Sequence, residues 1–225
     1  MTWETLKVYK PLSKDKLVVA KKEINKIVEE NLKPYGFKLY GRKLLKLSED
    51  LFYIIHLDTR GSWMGFSNSL KTDISIVSVF DTNIFIEGHE YLPKQYIQDL
   101  IPDIKNYYQI TSEYILFANY LSRKLEDYII PYFNKYKNSE DIIKYSDDFD
   151  SSNLNLHLYS KLKNHDNSSI NTITKKIEFL NRLKSNPTDI SELLQLKENL
   201  ERSNWEEIDN ILQNHKEQVL KKLKI

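Results

Sequence analysis

The first strong periodicity in the chain runs through Leu17, Ala20, Ile24, Ile27, Val28 and Leu32, at spacings of three and four. Lys16, Lys22, Lys26, Glu29 and Glu30 fill the remaining arc, so the segment reads as an amphipathic helix. Ser13 stands where an N-cap is wanted, and Pro34 and Gly36 close the helix, the first by its ring and the second by its access to left-handed backbone. The period then falls to two. Lys43–Leu47 and Leu51–Asp58 flank Ser48-Glu49-Asp50, a connection short enough for a hairpin. In the second strand Phe52, Ile54, His56 and Asp58 share one face, and Leu51, Tyr53, Ile55 and Leu57 the other. Being apolar on both sides near its middle, it reads as a central strand. A polar loop follows at 59–69, Asp73–Phe80 alternates again, and Asn83–Glu87 comes after an Asp81-Thr82 turn. The pattern predicts a meander of about four antiparallel strands.

Residues 88–109 are irregular and broken by Pro93 and Pro102. Thr111 or Ser112 is placed to cap a long helix with the stripe Ile115, Ala118, Leu121, Leu125, Tyr128, Ile129, Tyr132 and Tyr136. Pro131 inside it predicts a kink or a restart. Ser139–Tyr145 reads as a short amphipathic helix. Ser146–Ser169, rich in Asp, Ser and Asn, is the boundary candidate, although Leu154, Leu156, Leu158 and Leu162 suit a docked segment. Beyond it everything reads as helix: Ile170–Lys184, a break at Asn186-Pro187, a capping-box-like start at Asp189 with Glu192, and another at Ser203 with Glu206. The last helix then begins near Asn204, with the stripe Trp205, Ile208, Ile211, Leu212, His215, Val219 and Leu223. The expectation is an α+β fold: an antiparallel meander packed by an N-terminal helix and a long central helix, followed by an all-helical region. The corresponding division is 1–145 as the α+β domain, 146–169 as a linker or docked segment, and 170–225 as a helical hairpin or bundle.

Composition narrows the chemistry. With 225 residues, 40% of them hydrophobic, the chain can bury a sizeable core without staples. The absence of cysteine removes disulfides, thiolate metal sites and cysteine nucleophiles together. The N-terminal residues Met1-Thr2-Trp3-Glu4-Thr5 do not resemble a signal peptide, and no apolar run is long enough to span a bilayer, so the expected location is cytoplasmic with no membrane partner. The net charge of +1 gives no global pull toward nucleic acid. Locally the balance is uneven: residues 1–49 hold 12 basic and 6 acidic side chains, residues 50–160 hold 9 and 16, and residues 161–225 hold 12 and 10. The lysine-rich N-terminal part is either a solvated face or a steering patch for an acidic partner.

Of the five histidines, His56, His89, His157, His165 and His215, none has metal-binding spacing. His56 and Asp58 share a strand face, and Arg60 extends the row. A carboxylate beside an imidazole orients a base, so these three are the catalytic candidates; the alternative is a polar rim where the strand leaves the sheet. His215, on the helical stripe, reads as a packed or boundary histidine. Asp147, Asp148 and Asp150 form a dense acidic group, but a calcium loop started at Asp148 puts Asn153 at the turn and Tyr159 at the closing position, so no metal and no cofactor is expected. Asp103-Ile104-Lys105 is a fragment of a nuclease pattern in poor strand context. The loop Gly61-Ser62-Trp63-Met64-Gly65-Phe66 gathers residue types enriched at binding hot spots. Trp63, Met64 and Phe66 are therefore the binding candidates, against the alternative that Trp63 and Phe66 fold back over the sheet.

The run Leu32-Lys33-Pro34-Tyr35-Gly36-Phe37-Lys38 and the later run Tyr128-Ile129-Ile130-Pro131-Tyr132-Phe133-Asn134-Lys135-Tyr136, followed by Ser139-Glu140-Asp141-Ile142-Ile143, resemble a bacterial family called domain of unknown function 4304. Ser62-Trp63 and Phe66 sit where that family has its central segment. The resemblance covers about residues 14–145 and brings no activity or catalytic residues. It implies a small intracellular bacterial domain of a kind suspected in immunity or partner binding. The leading expectation is accordingly a non-enzymatic protein-binding module, an immunity or accessory protein, that self-associates, if at all, through its C-terminal helices. The alternatives are a metal-independent hydrolase or nuclease-like enzyme using His56, Asp58 and Arg60, and nucleic-acid binding through the lysine-rich N-terminal part.

Overall fold

Two groups of elements organise the computed structural model, which describes residues 10, 12–58, 69–82, 95–105, 107–146, 153–182 and 187–224, the side chains of 187–189 excepted. One unit comprises residues 1–48, 52–76 and 94–135; the other comprises 49–51, 77–93 and 136–225.

In the first unit, helix α1 (Lys14–Leu32) buries Leu17, Ala20, Ile24, Val28 and Leu32, five of the six positions of the stripe that its spacing predicts, and leaves Ile27 half-buried. Ser13 takes the extended N-cap conformation and its carbonyl accepts from the Leu17 N–H at 2.9 Å, but its hydroxyl makes no cap bond. A 3-10 turn over Lys33–Tyr35 ends the helix on Gly36, which lies at φ +87 and donates its N–H to the Lys33 carbonyl at 3.0 Å. A side chain is strained there, because only glycine takes that backbone without a Cβ penalty.

The strands β1 (Lys38–Tyr40), β2 (Lys43–Ser48), β3 (Leu51–Asp58), β4 (Ser69–Ser78) and β5 (Gln95–Tyr96) lie in that order, and β6 (Tyr107–Gln109) also pairs with β4. All residues of β3 but Asp58 are buried, as a central strand requires. Observed β4 begins four residues before the alternation at Asp73, because Ser69, Leu70 and Lys71 pair with Gln109, Tyr108 and Tyr107. The expected strand at 83–87 lies outside the described residues. At the edge, the Leu39 N–H is taken up by the Glu29 carboxylate at 2.9 Å, which blunts an otherwise open strand.

Helix α2 (Tyr114–Lys124), a π-helical turn (Leu125–Ile129) and α3 (Ile130–Asn134) form the long central helix. The break expected at Pro131 is this π turn, which the Ile130 N–H closes on the Leu125 carbonyl. Proline has no N–H to donate to the carbonyl four residues back and clashes with it, so the turn before it widens. The helix begins at Tyr114 with Glu113 at the cap position; Thr111 contributes a local turn, its hydroxyl accepting from the Glu113 N–H at 3.3 Å. Helices α1 and α2 pack together, and Asn31 donates to both Asn119 and Ser122. The helical side of the sheet is aromatic. Tyr53 stacks on Phe133 at 4.9 Å between ring centroids, Phe37 lies 6.0 Å from Phe133, and Tyr108 packs on Phe117 at 5.0 Å.

In the second unit, α4 (Ser139–Lys144), α5 (Leu154–Lys163), α6 (Ser169–Arg182), α7 (Pro187–Glu201) and α8 (Trp205–Leu223) pack in succession, with α5 also on α8. Leu156, Leu158 and Leu162 are buried in α5, so part of the polar segment 146–169 is a docked helix. Asn138 caps α4 by accepting from the Asp141 N–H at 3.2 Å, and Asp141 returns a bond to the Lys137 N–H at 2.8 Å. The buried Asp50 carboxylate binds the same helix start. It accepts from the Ser139 N–H at 3.1 and 3.3 Å and from the Ser139 hydroxyl at 2.5 Å, and Ser139 Oγ accepts in turn from Asn164 at 3.0 Å. At the start of α8 the cap is Asn204, which accepts from the Glu207 N–H at 3.5 Å, while Ser203, the expected cap, takes left-handed backbone at φ +53. No helix of the described residues is long and apolar enough to cross a membrane.

Candidate functional site

The face of the sheet away from the central helix is built by strand alternation. Tyr53 and Tyr108 point toward α2 and α3, and the register pairs Tyr108 with Leu70. Their alternates, His56 on β3 and Lys71, Asp73 and Ser75 on β4, therefore point the other way, joined by Tyr107 opposite Lys71 and Tyr96 opposite Asp73. The result is a continuous polar row with an aromatic rim.

Within the row, His56 Nε2 lies 3.1 Å from Ser75 Oγ, and the two residues are only 6% and 2% exposed. Lys71 Nζ lies 3.4 Å from the buried Asp73 carboxylate. The same ammonium sits 4.3 Å from the centre of the Tyr96 ring and 5.9 Å from that of Tyr107, within the range of cation–π attraction. The two rings are 44% and 56% exposed. Lys71 is thus held by charge at one end and by two aromatic faces around it, and the tyrosines keep their outer surfaces in water. This arrangement presents a pre-ordered patch of Tyr and Lys, with little rotamer entropy left to lose on contact.

Of the catalytic candidates, His56 is buried against Ser75, and Asp58 is half-buried at the end of β3. Asp58 acts electrostatically on Lys21 of α1, favouring its charge, whereas burial and the Arg42 guanidinium outweigh that and hold the Lys21 ammonium below its ordinary pKa. Arg60, Trp63, Met64 and Phe66 lie outside the described residues, as do His89 and the acidic group at 147–150. Ser75, Lys71, Asp73, Tyr96 and Tyr107 were not singled out from the sequence. The i, i+2 spacing of Lys71, Asp73 and Ser75 is visible there, but nothing local ties it to the two tyrosines. Among the described residues no group of three or more His, Asp or Glu side chains is placed to hold a metal ion.

A second polar cluster lies inside the helical unit. His215 is buried on α8; its Nδ1 faces the Phe80 carbonyl at 3.1 Å, which fixes a proton on that nitrogen. Its Nε2 lies 3.1 Å from Glu192 Oε1 on α7. Glu192 thus bonds to a partner on another helix, and α7 already begins at Pro187, two residues before the start that the Asp189 and Glu192 spacing suggested. The His215 contact holds the Glu192 carboxyl below its ordinary range, against burial, with help from Lys176. The Tyr159 ring meets His215 edge-on at 6.1 Å and Lys176 lies 5.9 Å from its centre. Burial, with the charges of Asp81 and Glu192, pushes the Tyr159 hydroxyl well above its ordinary pKa, so it stays protonated. Asp81 in turn accepts from Asn155 at 2.7 Å. His215 is thus packed, in line with its place on the helical stripe.

Compared with protein-family models, with curated proteins and with solved structures, the chain finds no match in any of the three.

Proposed function

We propose that the chain is a non-enzymatic protein-binding module that contacts its partner through the rim of the polar sheet face, Tyr96, Lys71 and Tyr107. The observation that carries this reading is the pair of half-exposed tyrosines pre-ordered around a neutralised lysine. Tyrosine is among the residue types that dominate binding energy, and a rigid ring gains contact area at small entropic cost. The buried contact between His56 and Ser75 supports the same reading, since each occupies the other and neither faces solvent. The resemblance to domain of unknown function 4304 rests on its short motifs alone and suits an immunity or accessory role for a bacterial protein. A hydrolase using His56, Asp58 and Arg60 is the competing reading; it requires His56→Ala to abolish turnover of a substrate.

The test is the complex that the full chain forms in its native cell. Tyr96→Ala and Tyr107→Ala should each weaken that complex by about tenfold or more, the scale of an interface hot spot. The unfolding midpoint should stay unchanged, and Trp63→Ala tests the aromatic loop in the same assay. A complex of undiminished affinity in the Tyr96→Ala, Tyr107→Ala double variant refutes the proposal.

A further inference from the structure

Helix α1 breaks two local rules on the same side of its N-terminal half. Its core face is already complete with five buried apolar residues, yet Val18 and Val19 stand 51% and 55% exposed on the other side. Adjacent β-branched residues in water lower helix propensity and contribute nothing to the core. Cations also crowd the end of the helix where the backbone dipole is positive and favours anions. Residues 10–26 hold six lysines against two acids, Asp15 and Glu23. Lys14, Val18, Lys22 and Lys26 follow one another at i, i+4 along the exposed side, and Lys16 lies one turn before Val19. Lys26 lies 4.0 Å from Glu30, with both side chains 64% exposed. Local rules broken without a gain in folding mark places kept for another purpose.

We infer that this half of α1 is a second interaction surface, fitted to an acidic protein whose contact patch has an apolar centre. The valines supply a dry centre, and around it Lys14, Lys16 and Lys22 outnumber Asp15 and Glu23, which leaves the rim net positive, the layout of a protein interface. Charge complementarity selects the partner: a cationic rim speeds and orients encounter with an anionic surface. Phosphodiester backbones would use the lysines and leave the valines idle. A bilayer would need a broader apolar face than two valines give. A second copy meeting it through the same patch would set like charges against each other.

The probe is a synthetic amphipathic helical peptide with glutamates around a leucine stripe, titrated into the full chain while the valine methyl signals are followed. Polyglutamate, short duplex DNA and phosphatidylglycerol vesicles are run in parallel. Val18 and Val19 should shift with the peptide, the affinity should fall as salt rises, and Val18→Ser with Val19→Ser should weaken binding about tenfold without lowering the unfolding midpoint. Unchanged affinity in that variant overturns the inference. So does tighter binding of DNA or vesicles than of the peptide, or self-association that the substitutions abolish. These residues are separate from Tyr96, Lys71 and Tyr107, so either surface can fail alone.

Discussion

Asp50 offers the sharpest test of how the helical unit is held. Its carboxylate sits in the hairpin turn after β2, is 7% exposed, and accepts from both the backbone N–H and the hydroxyl of Ser139, the first residue of α4. A hydrogen bond to a charged acceptor contributes about 1.5–3 kcal/mol, and a capping bond to a helix N–H adds about 1 kcal/mol. Asp50→Ala removes both acceptors and leaves two buried donors without them, so the expected loss is about 3 kcal/mol. In a chain of this length that lowers the thermal midpoint by about 6–12 °C. Ser139→Ala deletes the hydroxyl but keeps the N–H, and should cost about half as much. The decisive quantity is the coupling energy from urea unfolding of the two single variants and the double variant, expected at about 1.5–3 kcal/mol because the pair shares a bond of 2.5 Å. Additive losses, with coupling below about 0.5 kcal/mol, would show that the contact contributes nothing net and would refute the reasoning.

Two further outcomes follow from the same structure. Phe133→Ala empties a site 1% exposed, between Tyr53 and Phe37, and should cost about 4 kcal/mol through the lost burial, the cavity and the lost ring pairing, read from the shift in urea midpoint at unchanged slope; a loss under about 1 kcal/mol would mean the site collapses freely. Because the Glu192 carboxyl is held below its ordinary value of 4.5, the unfolded chain takes up that proton first as pH falls; the stabilisation is complete above 4.5 and is lost as pH drops through the depressed value. Glu192→Gln should therefore be less stable than the parent at neutral pH, with the gap closing in acid, and a gap independent of pH would show that the ion pair is not its source.

Legibility in the sequence followed the range of the interactions. Helix α1 and strand β3 were readable because each carries enough periods of one repeat to fix its faces. Strands β5 and β6, two and three residues long, contain no full pattern, and pairing with β4 alone makes them strands. Pro131 signalled a break, but the π turn that absorbs it depends on which carbonyl the Ile130 N–H reaches. Of the candidate site, His56 was visible through its strand face, whereas Ser75 lies 19 residues away and becomes its neighbour only through the sheet.

By itself the sequence determined the α+β class, the central position of β3 and the closing of α1 at Gly36, since local sterics and side-chain period act within a few residues. Only the tertiary structure decided that Lys71 stands between Tyr96 and Tyr107, that Asp50 binds the start of α4, and that Glu192 turns to His215. Those contacts join residues distant along the chain, and strand register and helix packing bring them within bonding range.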